Sequence, residues 1–221
     1  ELPSQDFGAA SAGNTQGGAG RGLTEGVSQP RGPTSGGART KVFGIESEGY
    51  SFVYVFDRSA SMASPGNLPL NAAKAELRAS LHHLQDTHQF QIIFYNLSHT
   101  VYDVTGVRGP LPFANERNKA MGMRFIDSIT ADGATNHMSA LRMALGLHPD
   151  VIYFLTDAEE TDALSDADLA KIDQANRGGV TIHCIKFGHH DEAPGENYLT
   201  KLARSSGGSY TYVNVRTLRA N

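Results

Sequence analysis

The chain has 221 residues, with 19 Lys and Arg against 23 Asp and Glu, a formal net charge of −4. No dense basic patch appears, which excludes nucleic acid and an anionic membrane surface as main partners. A single cysteine, Cys184, rules out an intrachain disulfide framework. No apolar run is long enough to span a bilayer, and no signal peptide is visible, so direct membrane insertion is not expected. The chain begins with Glu rather than Met, as after trimming of a longer protein from which an anchor could have been removed.

Residues 1–39 are Gly, Ala, Ser, Thr, Gln and Pro with few large apolar groups. Such a stretch buries too little surface to offset its conformational entropy. It reads as a flexible linker, or as an arm that docks on its own domain or a neighbour. Its GGAGRG cluster is no phosphate loop, because no strand precedes it and no G-K-[ST] follows. A single domain is expected over residues 40–221. Thr40–Ile45 predicts an extra N-terminal edge strand and Glu46–Gly49 a turn into the central strand, together an extra hairpin before the core of the domain.

Phe52–Phe56 is a continuous apolar, aromatic and β-branched run, as in a parallel strand covered on both faces by helices. It ends in Asp57-Arg58-Ser59-Ala60-Ser61, so a buried strand delivers one carboxylate and two hydroxyls into a tight loop. Ligands of open α/β sheets bind at the carboxyl ends of strands. In an extended D-x-S-x-S loop the first, third and fifth side chains converge, and three oxygens suit a hard cation such as Mg²⁺ or Mn²⁺. On this alternation Arg58 points away.

A helix follows the loop, with Leu70, Ala73, Leu77, Leu81 and Leu84 as one apolar stripe and Pro69 in its first turn. His82 and His83 at its end read as cations near a helix C-terminus rather than ligands. Phe90–Tyr95 predicts the next buried strand and Val101–Val104 an antiparallel edge strand. Asn115–Ile129 predicts a helix with Met121, Phe125, Ile126 and Ile129 on one core face. The turn-rich run Ala131–His137 leads into a helix with Met138, Leu141 and Leu145 inward. Val151–Leu155 is a further apolar strand, and it ends in Thr156-Asp157, a second carboxylate at a strand's carboxyl end. Ser165–Asp168 reads as a capping box opening a helix through Ala175. Val180–Phe187 predicts a strand in which Cys184 is a buried small residue. Gly188-His189-His190-Asp191-Glu192 carries metal-ligand types, but adjacent loop residues rarely converge on one ion. Leu199, Leu202 and Ala203 mark a last helix closed by Gly207-Gly208, and Ser209–Val215 a last strand. The alternation predicts an α/β fold, a doubly wound and mostly parallel sheet with helices on both faces.

The D-x-S-x-S motif, the later Thr135-Asn136 and the Thr156-Asp157 pair resemble the von Willebrand factor type A family, whose hallmark is a metal-ion-dependent adhesion site. The likeness extends over most of 50–215, and LTKLARSSGGSYTYV resembles the family's C-terminal helix and strand. It implies six strands, one an antiparallel edge. It also implies a metal site of Asp57, Ser59, Ser61, Thr135 and Asp157. By motif position Ser59 and Ser61 ligate directly, Thr135 when ligand is engaged, and Asp57 and Asp157 through water or hydrogen bonds. Where the family reads T-D-G this chain has Thr156-Asp157-Ala158, and alanine disfavours the positive φ open to glycine.

A cation with few directly bound carboxylates keeps positive charge and exchangeable positions. The expected function is therefore a non-enzymatic protein-binding module. In it Mg²⁺, Mn²⁺ or Ca²⁺ bridges to an Asp or Glu of a protein ligand, with Met62, His137 and Glu159 on the rim. Alternatives are an Mg²⁺-dependent phosphohydrolase, or a passive scaffold around a bound metal. The phosphatase pattern D-x-D is broken by Ser59, and G-x-S-x-G, HExxH and P-loop signatures are absent. The chain is also similar to bacterial proteins of the family, many with an N-terminal membrane segment, which implies a membrane-tethered parent.

Overall fold

Four apolar runs of the sequence become four adjacent parallel strands, and their order sets where the polar loops emerge. The computed structural model describes residues 38–104, 111–157, 162–192 and 194–217. In chain order these hold β1 (Ala38–Val42), β2 (Ile45–Gly49), β3 (Ser51–Asp57), α1 (Leu68–His83), β4 (Gln89–Tyr95) and β5 (His99–Val101). There follow α2 (Glu116–Ser128), α3 (His137–Leu145), β6 (Val151–Thr156), α4 (Asp166–Ala175), β7 (Thr181–Gly188), α5 (Tyr198–Ser205) and β8 (Tyr210–Asn214). The main sheet has six strands in the order β5-β4-β3-β6-β7-β8. Only β5 runs antiparallel to its neighbour. This is the expected doubly wound α/β sheet with one antiparallel edge.

β3 sits at the centre, and alternate residues feed two apolar layers, as the period of a strand requires. Phe52, Tyr54 and Phe56 face Leu70, Leu77 and Leu81 of α1 together with Ile126 of α2. Val53 and Val55 share the other layer with Leu141 and Leu145 of α3 and Leu199 and Leu202 of α5. Cys184 of β7 is buried in that second layer, as expected. The helices begin where their caps stand: Asn115, Asn136, Ser165 and Asn197 each accept the backbone N–H three residues on.

Two boundaries differ from the sequence reading. An extra hairpin does precede the core, but not with the expected parts: Thr40–Ile45 is not an edge strand of the main sheet, and Glu46–Gly49 lies in the hairpin's second strand rather than in a turn. β1 and β2 form a separate two-stranded hairpin turned at Phe43-Gly44. Both turn residues have positive φ, 45° and 86°, the geometry that matches the twist of a two-residue hairpin. A single glycine beside a phenylalanine is a weak turn signal, and the hairpin closes because its apolar tip is buried. Val42 and Ile45 join the α1-side layer, and Phe43 meets the edge of Phe187. The edge strand likewise comes earlier than Val101–Val104. Asn96 accepts from both the backbone N–H and the hydroxyl of Ser98, a tight turn that starts β5 at His99.

The hairpin is also tied by buried hydroxyls. Ser80 of α1 hydrogen-bonds Thr40 and, at 2.6 Å, the Tyr54 hydroxyl, while Ser47 bonds Tyr153. Ser80→Ala would leave two buried hydroxyls short of a partner and is expected to destabilise by about 1–2 kcal/mol. Urea denaturation of the variant against the parent measures this.

Candidate metal centre

Strands β3 and β6 are neighbours in register, Phe56 opposite Leu155, so their carboxyl ends open at one place. Asp57 ends β3 fully buried, and Asp157 follows the last residue of β6. Both oxygens of Asp57 are engaged. Oδ1 accepts from the Ser59 backbone N–H at 2.7 Å, and Oδ2 accepts from Thr156 Oγ1 at 2.7 Å. Asp57 therefore holds the loop's shape from below.

Above it the loop enters a short 3-10 turn, Ala60–Ala63. Ser59 Oγ and Ser61 Oγ lie 3.0 Å apart. Asp157 Oδ1 accepts from Ser61 Oγ at 2.9 Å and from Ser59 Oγ at 3.5 Å. Ser59 is buried and Ser61 exposed, so the cluster opens to solvent on one side. Four of the five predicted ligating residues thus form one hydrogen-bonded group.

Thr135 stands on the segment between α2 and α3, partly exposed, one residue before the cap of α3. Backbone bonds lace this segment to the serine loop and to the β4–β5 turn. Asp132 N donates to Arg58 O at 2.8 Å, Ala60 N to Gly133 O at 2.9 Å, and Asn136 N to Asn96 O at 3.0 Å. Gly133 takes φ 72°, and a Cβ there would stand 3.1 Å from the Asn96 side chain. Among the described residues Thr135 makes no hydrogen bond to the Asp57–Asp157 group.

The donors fit a hard divalent cation: two hydroxyl oxygens and one carboxylate oxygen, all within 3.5 Å, on the wet side of a buried carboxylate. The electrostatics fit as well. Burial pushes the Asp57 carboxyl up to about 6, against hydrogen bonds from Ser59 and Thr156 that pull it down. Burial also raises Asp157, opposed chiefly by Ser61 and then by nearby groups including His189. A fully buried carboxylate beside a partly buried one is a poor arrangement alone and a good one around a cation.

Two expected rim residues are corrected. Met62 is fully buried because the 3-10 turn rotates it into the α1-side layer. His137 is only 3% exposed. Its ring packs among Tyr95, Phe154 and Tyr198, and its Nδ1 lies 3.0 Å from the Tyr95 hydroxyl. The first turn of α3 faces the sheet there, so the side chain next to a site in sequence lies beneath it in space. Glu159 and Ala158 lie outside the described residues. Among the described residues the Arg58 side chain makes no hydrogen bond or ion pair with the Asp57–Asp157 group: its guanidinium pairs with Asp132 and donates to Thr130 O at 3.3 Å.

The sequence reading passed over Thr156, whose hydroxyl holds Asp57, and Asn96, which joins two loops. It also passed over Leu97, 66% exposed at the tip of the β4–β5 turn beside Asn96. Thr156 was within reach, since a hydroxyl residue ending a strand beside a buried Asp is placed to satisfy it. His189–Glu192 form no ligand cluster. Among the described residues no group of three or more His, Cys, Asp and Glu is poised for a metal. Glu192 instead accepts from Tyr210 and Asn197, and His190 O accepts from Tyr212.

This architecture is the von Willebrand factor type A fold. Among solved structures the chain is similar to a von Willebrand factor type A protein from Catenulispora acidiphila, at 24% identity and a TM-score of 0.65, over 79% of this chain. It is similar to the conserved hypothetical protein BatB from Bacteroides thetaiotaomicron, at 17% identity and TM-score 0.56 over 75% of this chain. A third is proximal thread matrix protein 1 from the mussel byssus, with a zinc-occupied MIDAS motif, at 20% identity and TM-score 0.53 over 76% of this chain. The chain spans 41% of the Catenulispora protein, 42% of the mussel protein and 91% of BatB. No family model and no curated protein matches it. Among the described residues no helix is long and apolar enough to cross a membrane.

Proposed function

We propose that this domain is a non-enzymatic, divalent-metal-dependent protein-binding module. The observation that carries this reading is the meeting of Ser59 Oγ, Ser61 Oγ and Asp157 Oδ1 at the solvent-open ends of two adjacent parallel strands. Ser59 and Ser61 would hold the cation directly, with Thr135 from the neighbouring loop. Asp57 and Asp157 supply the compensating charge, Asp57 from a position in which its own oxygens already serve Ser59 and Thr156. A bound cation supplies a positive, Lewis-acidic point with positions open to a carboxylate oxygen. The partner is therefore a protein presenting an Asp or Glu. The mussel protein's zinc-occupied motif supports a divalent ion at this place, and Mg²⁺, Mn²⁺ and Ca²⁺ match the all-oxygen donor set. Leu97, rather than Met62 or His137, offers apolar rim contact, because it is exposed on a turn bonded to the Thr135 segment.

A metal that binds only the folded state stabilises it by mass action, about 2.7 kcal/mol at a hundred times its Kd. Thermal melts in EDTA, Mg²⁺, Mn²⁺ and Ca²⁺ are expected to show a concentration-dependent rise in at least one metal. The rise should vanish in Asp157→Ala and Ser59→Ala. Water-proton relaxation by Mn²⁺ should then fall as a Glu-containing peptide is titrated, and not when its amide counterpart is. No rise at millimolar metal would remove the reading, and hydrolysis of an aryl phosphate in Mg²⁺ above buffer would turn it toward an enzyme.

A further inference from the structure

Arg58 occupies a variable position of the D-x-S-x-S motif, yet it is well enclosed: its side chain is 13% exposed, whereas that of its partner Asp132 is 67% exposed. One guanidinium nitrogen reaches both the Asp132 carboxylate and Thr130 O. The same carboxylate accepts from Asn96 Nδ2 at 2.9 Å, which also donates to Asp132 O at 2.9 Å. The backbone of Arg58 takes part too, with N donating to Tyr95 O and O accepting from Asp132 N, both at 2.8 Å. Arg58 therefore grips the segment Thr130–Gly133 by side chain and main chain at once. That segment begins the loop whose next residues are Ala134 and Thr135, and its far end is held by the Asn136–Asn96 bond. No other side chain among the described residues ties the serine loop to the start of this segment.

We propose that Arg58 is the positioning residue of the metal centre: with Asp132 and Asn96 it forms a clasp that sets Thr135 against Ser59 and Ser61. The proposal rests on the metal-site reading above. It has a consequence opposite in sign to simple electrostatics. Arg58 is a fixed positive charge one residue from Asp57 and Ser59, so by charge alone its removal would tighten cation binding. As a clasp, its removal loosens the loop that carries Thr135 and weakens binding, as loss of outer-shell partners commonly does by 10–100-fold.

The test is Mn²⁺ titration by calorimetry on wild type, Arg58→Met, Arg58→Lys, Asp132→Asn and Thr135→Ala, with the pairs of each clasp variant and Thr135→Ala. Arg58→Met is expected to weaken Mn²⁺ by about tenfold. Arg58→Lys, which keeps the charge and much of the reach, should restore most of it. Thr135→Ala should weaken Mn²⁺ in wild type and add little to Arg58→Met, because the clasp acts through Thr135. A melting temperature in EDTA close to wild type separates this from general unfolding. If Arg58→Met does not fold, Asp132→Asn, at an exposed side chain, carries the test, and its loss should likewise vanish beside Thr135→Ala. Binding by Arg58→Met equal to or tighter than wild type overturns the clasp and leaves the metal site standing, as does full additivity with Thr135→Ala. Failure of wild type to bind millimolar Mn²⁺ removes both.

Discussion

Asp57→Asn is expected to raise the melting temperature of the metal-free protein at pH 7.5 while abolishing its stabilisation by metal. The carboxyl is fully buried and held at about 6, above its ordinary 3.8, so ionising it in the folded state is unfavourable. With the folded value above the unfolded one, the native state binds the extra proton between those two values, and stability falls as pH rises through that window. Below the ordinary value both states are protonated and the penalty is absent. Above about 6 it is complete, with an upper bound of about 3 kcal/mol at about 1.4 kcal/mol per pH unit. Asparagine carries no charge to desolvate. Its oxygen can accept from Ser59 N, and its amide can donate to Thr156 Oγ1, which turns over to accept. Removing most of the penalty corresponds to a rise of roughly 5 °C for a domain of this size. Melts of both proteins in EDTA from pH 4 to 8 check it: the curves should converge at the acid end and separate through the window. Coincident curves at every pH would show that Asp57 is not ionised at a stability cost. In saturating Mn²⁺ the order should reverse, since only the aspartate supplies charge beneath the cation.

Thr156→Val should act in the opposite direction. The two side chains have nearly the same shape and Thr156 is fully buried, so packing changes little. The hydroxyl is lost, and with it the donor to Asp57 Oδ2 and the hydrogen bond to Tyr95. A hydrogen bond to a buried charge contributes about 1.5–3 kcal/mol, and the orphaned oxygen belongs to a fully buried side chain. The expected loss at pH 7.5 is of that size, and it shrinks toward about 1 kcal/mol near pH 4.5, where Asp57 is protonated. Chemical denaturation at the two pH values measures it, and an equal loss at both would mean that the hydroxyl serves Tyr95 alone. The variant should also bind metal less well, because an Asp57 harder to ionise must release a proton when the cation enters.

Together the two expected outcomes trace to one cause, a buried carboxylate whose charge costs the metal-free fold stability.

The parts of the fold legible in the sequence were those with strong local signals. Val151–Leu155 is too apolar for anything but a core strand, and Ser165 with Asp168 marks the start of α4 without any tertiary help. An extra hairpin was legible but its turn was not, because Val42, Phe43 and Ile45 make a turn only by burying their side chains against residues such as Phe187, far along the chain. Met62 and His137 were misplaced for a related reason. Nearness to a motif in sequence says nothing of which way a 3-10 turn or the first turn of a helix rotates a side chain.

The sequence by itself determined the alternation of strands and helices, the two strand ends that carry Asp57 and Asp157, and the hydroxyls that accompany them. These follow from hydrophobic periodicity and from residue types whose chemistry does not depend on their neighbours. Only the tertiary structure decided that Thr156 holds Asp57, that Arg58 grips Asp132 and Thr130, and that Leu97 stands exposed beside Asn96. Those outcomes depend on strand register and loop packing between residues as much as a hundred positions apart, distances over which no local pattern carries information.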